Sequence, residues 1–284
     1  MKRLNIRHIQ KMKDDHQPIT MLTAYDATSA RLAEAAEVPM ILVGDTLGMV
    51  VQGHNSTIPV KLEHMIYHAE IVTRVTERPF VVGDLPFMTY NVSPEQALAN
   101  SGRLMQEGGV SAVKLEGGEL LAPTIKRITD AGMPVMAHIG LTPQSVNQFG
   151  GFRVQGKQLD SARQLLRDAQ AVQDAGAFAV VLELVPSALS ALITETLHIP
   201  TIGIGAGNTT DGQVQVFHDI LALFDDFVPR HTKRYANLSE LMLDAIKQYH
   251  DEVTARAFPT EANSFTMSDE VIATLKDELV HAYH

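Results

Sequence analysis

The chain has 284 residues, enough for one large domain or two small ones and for a full core without crosslinks. Apolar residues make up 45% and charged residues 20%, which excludes wholesale disorder, and 23 basic against 33 acidic residues leave a net charge of −10, which argues against a broad nucleic-acid surface. Cysteine is absent, so disulfides, thiolate-bound zinc, iron–sulfur clusters and thiol nucleophiles are excluded.

The first residues, to Gln17, are basic but lack the apolar stretch of a secretory signal. No apolar run approaches the roughly 18 residues of a membrane helix. The expectation is a soluble, cytoplasmic protein with no membrane and no nucleic-acid partner.

From there, short β-rich apolar runs alternate with helical stretches. Ile19–Thr23 precedes a helix over Thr28–Glu37, and Met40–Val43 precedes Leu62–Thr76. Phe80–Val82 leads to Pro94–Gln106, and Ala112–Leu115 to Leu120–Asp130. Pro134–Ala137 leads to Ser161–Asp174, and Phe178–Leu182 to Ala188–Leu197. Thr201–Ile204 precedes Asp211–Asp219, and the weaker run Leu221–Val228 precedes Leu238–Arg256. Ser93-Pro94-Glu95 places a cap before a proline in the first helical position. Gly108, Gly132 and Gly176 stand where helices should end in a left-handed residue.

Nearly continuous apolar strands between helices predict a parallel sheet covered on both faces. Eight such units predict a (β/α)8 TIM-type barrel, with a doubly wound open sheet as the alternative. The long glycine-bearing loops 44–59 and 140–157 then fall on the catalytic face. One catalytic domain is expected over residues 1–265. Residues 266–284 form a helical appendage, opened by Thr266-Met267-Ser268-Asp269 and striped by Val271, Ile272, Leu275 and Leu279.

The strand ends are rich in ionisable groups: Asp45, Asp84, Lys114 with Glu116, His138 and Glu183. Each follows an apolar run, where an unpartnered charge is costly. Taken singly, each reads equally as a helix cap, a turn residue or half of an ion pair. Alternation puts Lys114 and Glu116 on one strand face, pointing into a barrel mouth. Three carboxylates converging there make a hard oxygen site suited to Mg²⁺. Gly203-Ile204-Gly205-Ala206-Gly207 reads as an anion-approach loop or a tight rim turn, and its spacing is not the dinucleotide fingerprint. Asp225 and Asp226 lie near the distance of a ribose-binding acid. His64 and His68 stand four apart on a helix but lack the glutamate of a zinc protease, so a solvent or interface face is expected.

Several stretches together resemble the ketopantoate hydroxymethyltransferase family. They are Thr23-Ala24-Tyr25-Asp26, Val43-Gly44-Asp45-Thr46-Leu47-Gly48-Met49, Gln52-Gly53-His54 and Asp84-Leu85-Pro86-Phe87-Met88. Val113-Lys114-Leu115-Glu116-Gly117-Gly118, His138-Ile139-Gly140-Leu141-Thr142-Pro143-Gln144, Leu182-Glu183-Leu184-Val185-Pro186 and Gly203–Asn208 continue the resemblance. It implies a (β/α)8 fold and a Mg²⁺-dependent transfer of a one-carbon unit from 5,10-methylenetetrahydrofolate to 3-methyl-2-oxobutanoate, in pantothenate synthesis. It implies Asp45, Asp84 and Glu116 as metal ligands, with Thr46, Lys114 and His138 beside Asp45 and Asp84 as substrate contacts. Glu183 is implied as the proton acceptor, and a homo-oligomer, commonly a decamer, as the assembly. Thr46 stands where the family usually has serine, which keeps the hydroxyl and adds a methyl. Two other enzyme readings are a Schiff-base aldolase using Lys114 and a lyase of the isocitrate-lyase type, which usually needs a cysteine. A barrel that binds a metal–metabolite complex without turnover is the non-enzyme reading.

Overall fold

The structure is a computed structural model and describes residues 3–151, 153–224 and 228–282. Its strands are β1 (Ile19–Thr23), β2 (Met40–Val43), β3 (Phe80–Asp84), β4 (Ala112–Glu116), β5 (Val135–Gly140), β6 (Ala179–Glu183), β7 (Thr201–Ile204) and β8 (Gly212–Gln215). They form a closed barrel in sequence order, every pair parallel, and β8 returns to β1 with Ile19 opposite Gly212 and Met21 opposite Val214. The expected (β/α)8 barrel is therefore the fold, and the open sheet is excluded.

Alternation along the strands explains why this sequence closes. Ile19 and Met21, Met40 and Leu42, Phe80 and Val82, Met136, Val181, Ile202 and Val214 pack together as one cluster inside the barrel. Ile41, Val43, Val81, Val113, Leu115, Val135, Ala137, Val180 and Leu182 have the opposite parity and join the helices in a second cluster. Each strand is thus apolar on both faces, as buried parallel strands require. The outer layer includes α2 (Ala27–Ala35), α4 (Leu62–Val75), α5 (Pro94–Gly108), α6 (Ala122–Asp130), α8 (Leu159–Asp174) and α9 (Ser187–Thr196). Short helices α3 (Leu47–Val50) and α7 (Val146–Phe149) interrupt the two long loops.

Two expectations need correction, and one element is new. The eighth strand is not Leu221–Val228 but Gly212–Gln215, inside a stretch expected to be helical; after it comes only the short α10 (Phe217–Ile220). Closure overrides local pattern here: β8 faces inward through Val214, and a Cβ on Gly212 would stand 2.3 Å from the Ile19 carbonyl oxygen. Ahead of the barrel, α1 (Ile6–Asp14) was not expected; Asn5 caps it, and Ile9 joins the interior cluster. Lys13 of that helix bonds Asp211 before β8 at 2.8 Å, with both side chains largely buried. The left-handed residue after α5 is Gly109, while Gly108 is the last helical residue.

The chain divides into two compact units, Met1–Ala236 and Asn237–His284. α11 (Leu238–Thr254), placed with the barrel on sequence grounds, belongs to the second unit together with α12 (Asp269–Ala282). Within that unit Tyr249 and Phe258 meet edge to face at 5.8 Å, and the Ser268 hydroxyl accepts from the Val271 amide at 3.4 Å. Among the described residues, no helix is long and apolar enough to cross a membrane.

Candidate active site

The inward parity of the strands continues into their C-terminal ends. Phe80 and Val82 are followed on the same face by Asp84, Ala112 by Lys114 and Glu116, Met136 by His138, and Ala179 and Val181 by Glu183. Asp45 and Thr46 enter from the turn after β2. All seven expected residues line one cavity of about 60 Å³ at the barrel mouth, which Leu42, Val181, Ile204, Val214 and Val216 complete with apolar surface. A second hollow, lined by His8, Lys11, Asp15, Glu37 and Arg78 among others, holds charges already paired as Lys11–Asp15 and Arg78–Glu37.

Charge dominates the mouth. Asp45, Asp84, Glu116 and Lys114 are all buried, so three carboxylates surround one ammonium. Lys114 Nζ stands 2.7 Å from Asp84 Oδ1, and the Asp45 amide donates to Asp84 Oδ2 at 3.0 Å. Burial raises the Asp45 carboxyl to about 7, and Asp84 adds to that rise. Burial likewise holds Glu116 well above the usual carboxylate range, against the pull of Lys114. Burial alone would lower Lys114, but Asp84, Glu116 and Asp45 outweigh it and raise the ammonium. That amine is held protonated, which counts against Lys114 as a Schiff-base nucleophile.

His138 spans the other side. Its Nδ1 is 3.7 Å from Glu116 Oε1 and its Nε2 is 3.3 Å from Glu183 Oε2. Burial lowers the imidazole, despite the nearby Glu183 carboxylate, so the neutral ring is favoured. Glu183 is the least enclosed acid of the pair, with 13% of its side chain exposed against 3% for Glu116. Its backbone depends on Gly140, which has φ +93° and whose missing Cβ would stand 2.3 Å from the Glu183 carbonyl oxygen. Thr46 Oγ1 is 2.9 Å from the Tyr25 hydroxyl.

Two residues that sequence reasoning did not single out complete the site. Gln144, buried in the loop after β5, donates from Nε2 to Asp45 Oδ2 at 2.8 Å and from its backbone amide to Glu116 Oε2 at 3.0 Å. The Tyr90 hydroxyl donates to Gln144 Oε1 at 2.5 Å. Gln144 closes the His138–Gln144 stretch that carries the family resemblance, but no role is attached to it there; the one sequence signal of Tyr90 is position, a polar residue in a mouth loop, shared by many residues that do nothing. Elsewhere, His68 Nδ1 bonds the Tyr25 carbonyl at 2.6 Å while His64 accepts from the Lys61 amide, so the two histidines serve separate partners. Gly205 and Gly207 adopt positive φ in a rim turn where Gln213 Nε2 donates to the Gly207 carbonyl. Asp225 and Asp226 lie outside the described residues.

Among the described residues, no three His, Cys, Asp or Glu side chains are gathered into a ready metal cage. The donor chemistry nonetheless fits a hard divalent cation: the acids offer oxygen only, they are buried, and one ammonium does not balance them. Mg²⁺ characteristically takes one or two protein carboxylates and completes its shell with water and substrate oxygens.

Fold and site define a (β/α)8-barrel enzyme whose acid–base groups sit at the C-terminal ends of the strands. Residues 3–261 match the family model described as ketopantoate hydroxymethyltransferase. A 3-methyl-2-oxobutanoate hydroxymethyltransferase of Dehalococcoides mccartyi is 54% identical over 274 residues, covering 96% of this chain and 98% of the relative. One from Chloroflexus aurantiacus is 56% identical over 271 residues, covering 95% and 96%. The chain belongs to the ketopantoate hydroxymethyltransferase family. The crystal structure of 2,3-dimethylmalate lyase, a member of the PEP mutase/isocitrate lyase superfamily, superposes with a TM-score of 0.59 at 15% identity, covering 98% of this chain and 96% of that one. That likeness concerns the fold.

Proposed function

We propose that this chain transfers a hydroxymethyl unit from 5,10-methylenetetrahydrofolate to 3-methyl-2-oxobutanoate, forming 2-dehydropantoate, the ketopantoate of pantothenate biosynthesis, with Mg²⁺ in the mouth of the barrel. The names of the relatives support the product. The observation that carries the chemistry is the meeting, in one cavity, of a carboxylate cluster, a protonated lysine and a histidine–glutamate pair beside an apolar wall.

Asp45 and Asp84, with Glu116 beside them, would hold the cation. Bound there, Mg²⁺ supplies Lewis-acid charge at the keto oxygen of the substrate. Lys114 adds a fixed positive charge in a water-poor site, where it favours negative charge developing on the keto acid. Leu42, Val181, Ile204, Val214 and Val216 offer apolar contact to the branched alkyl group. Glu183 accepts the C3 proton, so the C3–H electron pair passes into the enolate of the keto acid. Neutral His138, whose ring nitrogens are buried without a hydrogen-bond partner among the described residues and whose Nε2 stands 3.3 Å from Glu183 Oε2, is left free to contact the keto acid. The enolate carbon then bonds to the methylene carbon of the folate as one of that carbon's two C–N bonds breaks, and the freed nitrogen takes up the proton lost from C3. Water adds its oxygen to the same carbon as the second C–N bond breaks, its released proton goes to that nitrogen, and tetrahydrofolate leaves.

The test is direct. The purified protein, given 3-methyl-2-oxobutanoate and methylenetetrahydrofolate labelled in its one-carbon unit, should yield labelled 2-dehydropantoate by mass spectrometry. A chelator should stop the reaction and Mg²⁺ restore it. Binding of the keto acid without product would favour a non-catalytic barrel instead.

A further inference from the structure

We propose that Gln144, anchored by Tyr90, is a positioning residue that holds the Asp45 and Glu116 carboxylates for a divalent cation. The proposal rests on reading the barrel mouth as a cation site. Every hydrogen-bonding group that Gln144 places there is spent. Its Nε2 donates to Asp45 Oδ2 at 2.8 Å and to the Leu85 carbonyl at 3.0 Å. A carbonyl only accepts, so this contact fixes which end of the amide faces the acids. Its Oε1 accepts from the Tyr90 hydroxyl at 2.5 Å, and that hydroxyl accepts in turn from the Glu116 amide at 3.3 Å. The Gln144 backbone amide completes the set on Glu116 Oε2 at 3.0 Å.

One loop residue after β5 thereby ties together three neighbouring strand ends: the turn after β2 through Asp45, β3 through the Leu85 carbonyl, and β4 through Glu116. Both residues are enclosed, Gln144 being 4% and Tyr90 2% exposed, so water does not compete for these bonds. The choice of an amide has a physical reason. It donates to carboxylates and favours their ionised form, yet it carries no charge. A second lysine in its place would cancel the negative charge that a cation needs. Partners of this kind commonly tune metal affinity by about 10–100-fold. A glutamine that merely filled the core would influence folding and leave cation affinity alone.

Mn²⁺ alone, titrated into chelator-treated full-length protein and followed by the EPR signal of the free ion, reads the difference. The wild type should bind Mn²⁺ in the mouth, and Asp84→Asn should weaken that binding. Gln144→Met keeps the length and apolar stem but removes both side-chain donors. Its Mn²⁺ Kd should rise by about 10–100-fold while circular dichroism reports an intact fold. Tyr90→Phe should shift the Kd in the same direction. The double variant should fall short of the product of the single effects, because both act through one network. Should Gln144→Met fail to fold, Tyr90→Phe decides: a raised Kd supports the proposal and an unchanged Kd overturns it. A folded Gln144→Met with wild-type affinity overturns the positioning role and leaves the cation site standing. A wild type that binds no Mn²⁺, or an Asp84→Asn that binds normally, overturns the site reading and this proposal with it.

Discussion

Asp45→Asn should make the metal-free protein more stable, although it removes a residue the reaction is expected to need. The reason is the environment of the carboxylate. Burial, reinforced by Asp84, raises Asp45 to about 7 from an ordinary 3.8. The folded protein therefore holds this proton more tightly than the unfolded chain does. Stability is lost as pH rises from about 4 toward 7, and the full cost is present above that range. A gap of about 3 pH units, at about 1.4 kcal/mol per unit, sets a ceiling of roughly 4 kcal/mol. Asparagine has no proton to lose, and its side-chain oxygen still accepts from Gln144 Nε2. Urea unfolding with chelator present should show the variant on the order of 2–4 kcal/mol more stable than wild type at pH 8, with the advantage reduced by more than half at pH 5. Added Mn²⁺ should stabilise the wild type and do far less for the variant. A variant no more stable than wild type at pH 8 without metal would refute the reasoning, because Asp45 would then be ionised there at no cost.

Lys114→Met should have the opposite sign at pH 8. It leaves the Asp84 partner 2.7 Å away without its ammonium, and breaking a buried pair typically costs about 3–5 kcal/mol, measurable in the same urea experiment. Gly140→Ala should abolish turnover and lower the melting temperature, since the new Cβ meets the Glu183 carbonyl oxygen at a residue with φ +93°. Truncation after Phe265 removes α12 and no barrel strand, so proton exchange at the substrate should persist. A folded truncation without exchange would show that the appendage serves the site.

Much of this site is legible in the sequence because a barrel strand is a ruler of period two. Once Phe80 and Val82 are taken as inward, Asp84 must be inward as well. The same parity carries Lys114, Glu116, His138 and Glu183 into the mouth. Gln144 and Tyr90 obey no such period. They lie in loops, and only the folded chain brings them to acids 99 and 26 residues away. β8 escaped notice for a related reason. Its Gly-Gln-Val-Gln run carries one inward apolar residue, and closure against β1 supplies what its own pattern lacks. Helix α1 was hidden by its polar composition, since Ile9 is its one fully buried residue and the Lys13–Asp211 pair that helps dock it joins positions far apart in the chain.

Removal of the C3 proton of 3-methyl-2-oxobutanoate by Glu183 is the central chemical claim, and NMR in deuterated water measures it without the folate. With Mg²⁺ present, the wild-type protein should exchange the C3 hydrogen for deuterium, and a chelator should stop the exchange. Glu183→Gln should bind the keto acid normally by calorimetry while its exchange falls by about 10²–10⁴, the usual loss for a general base. Exchange at the wild-type rate in Glu183→Gln would contradict the account.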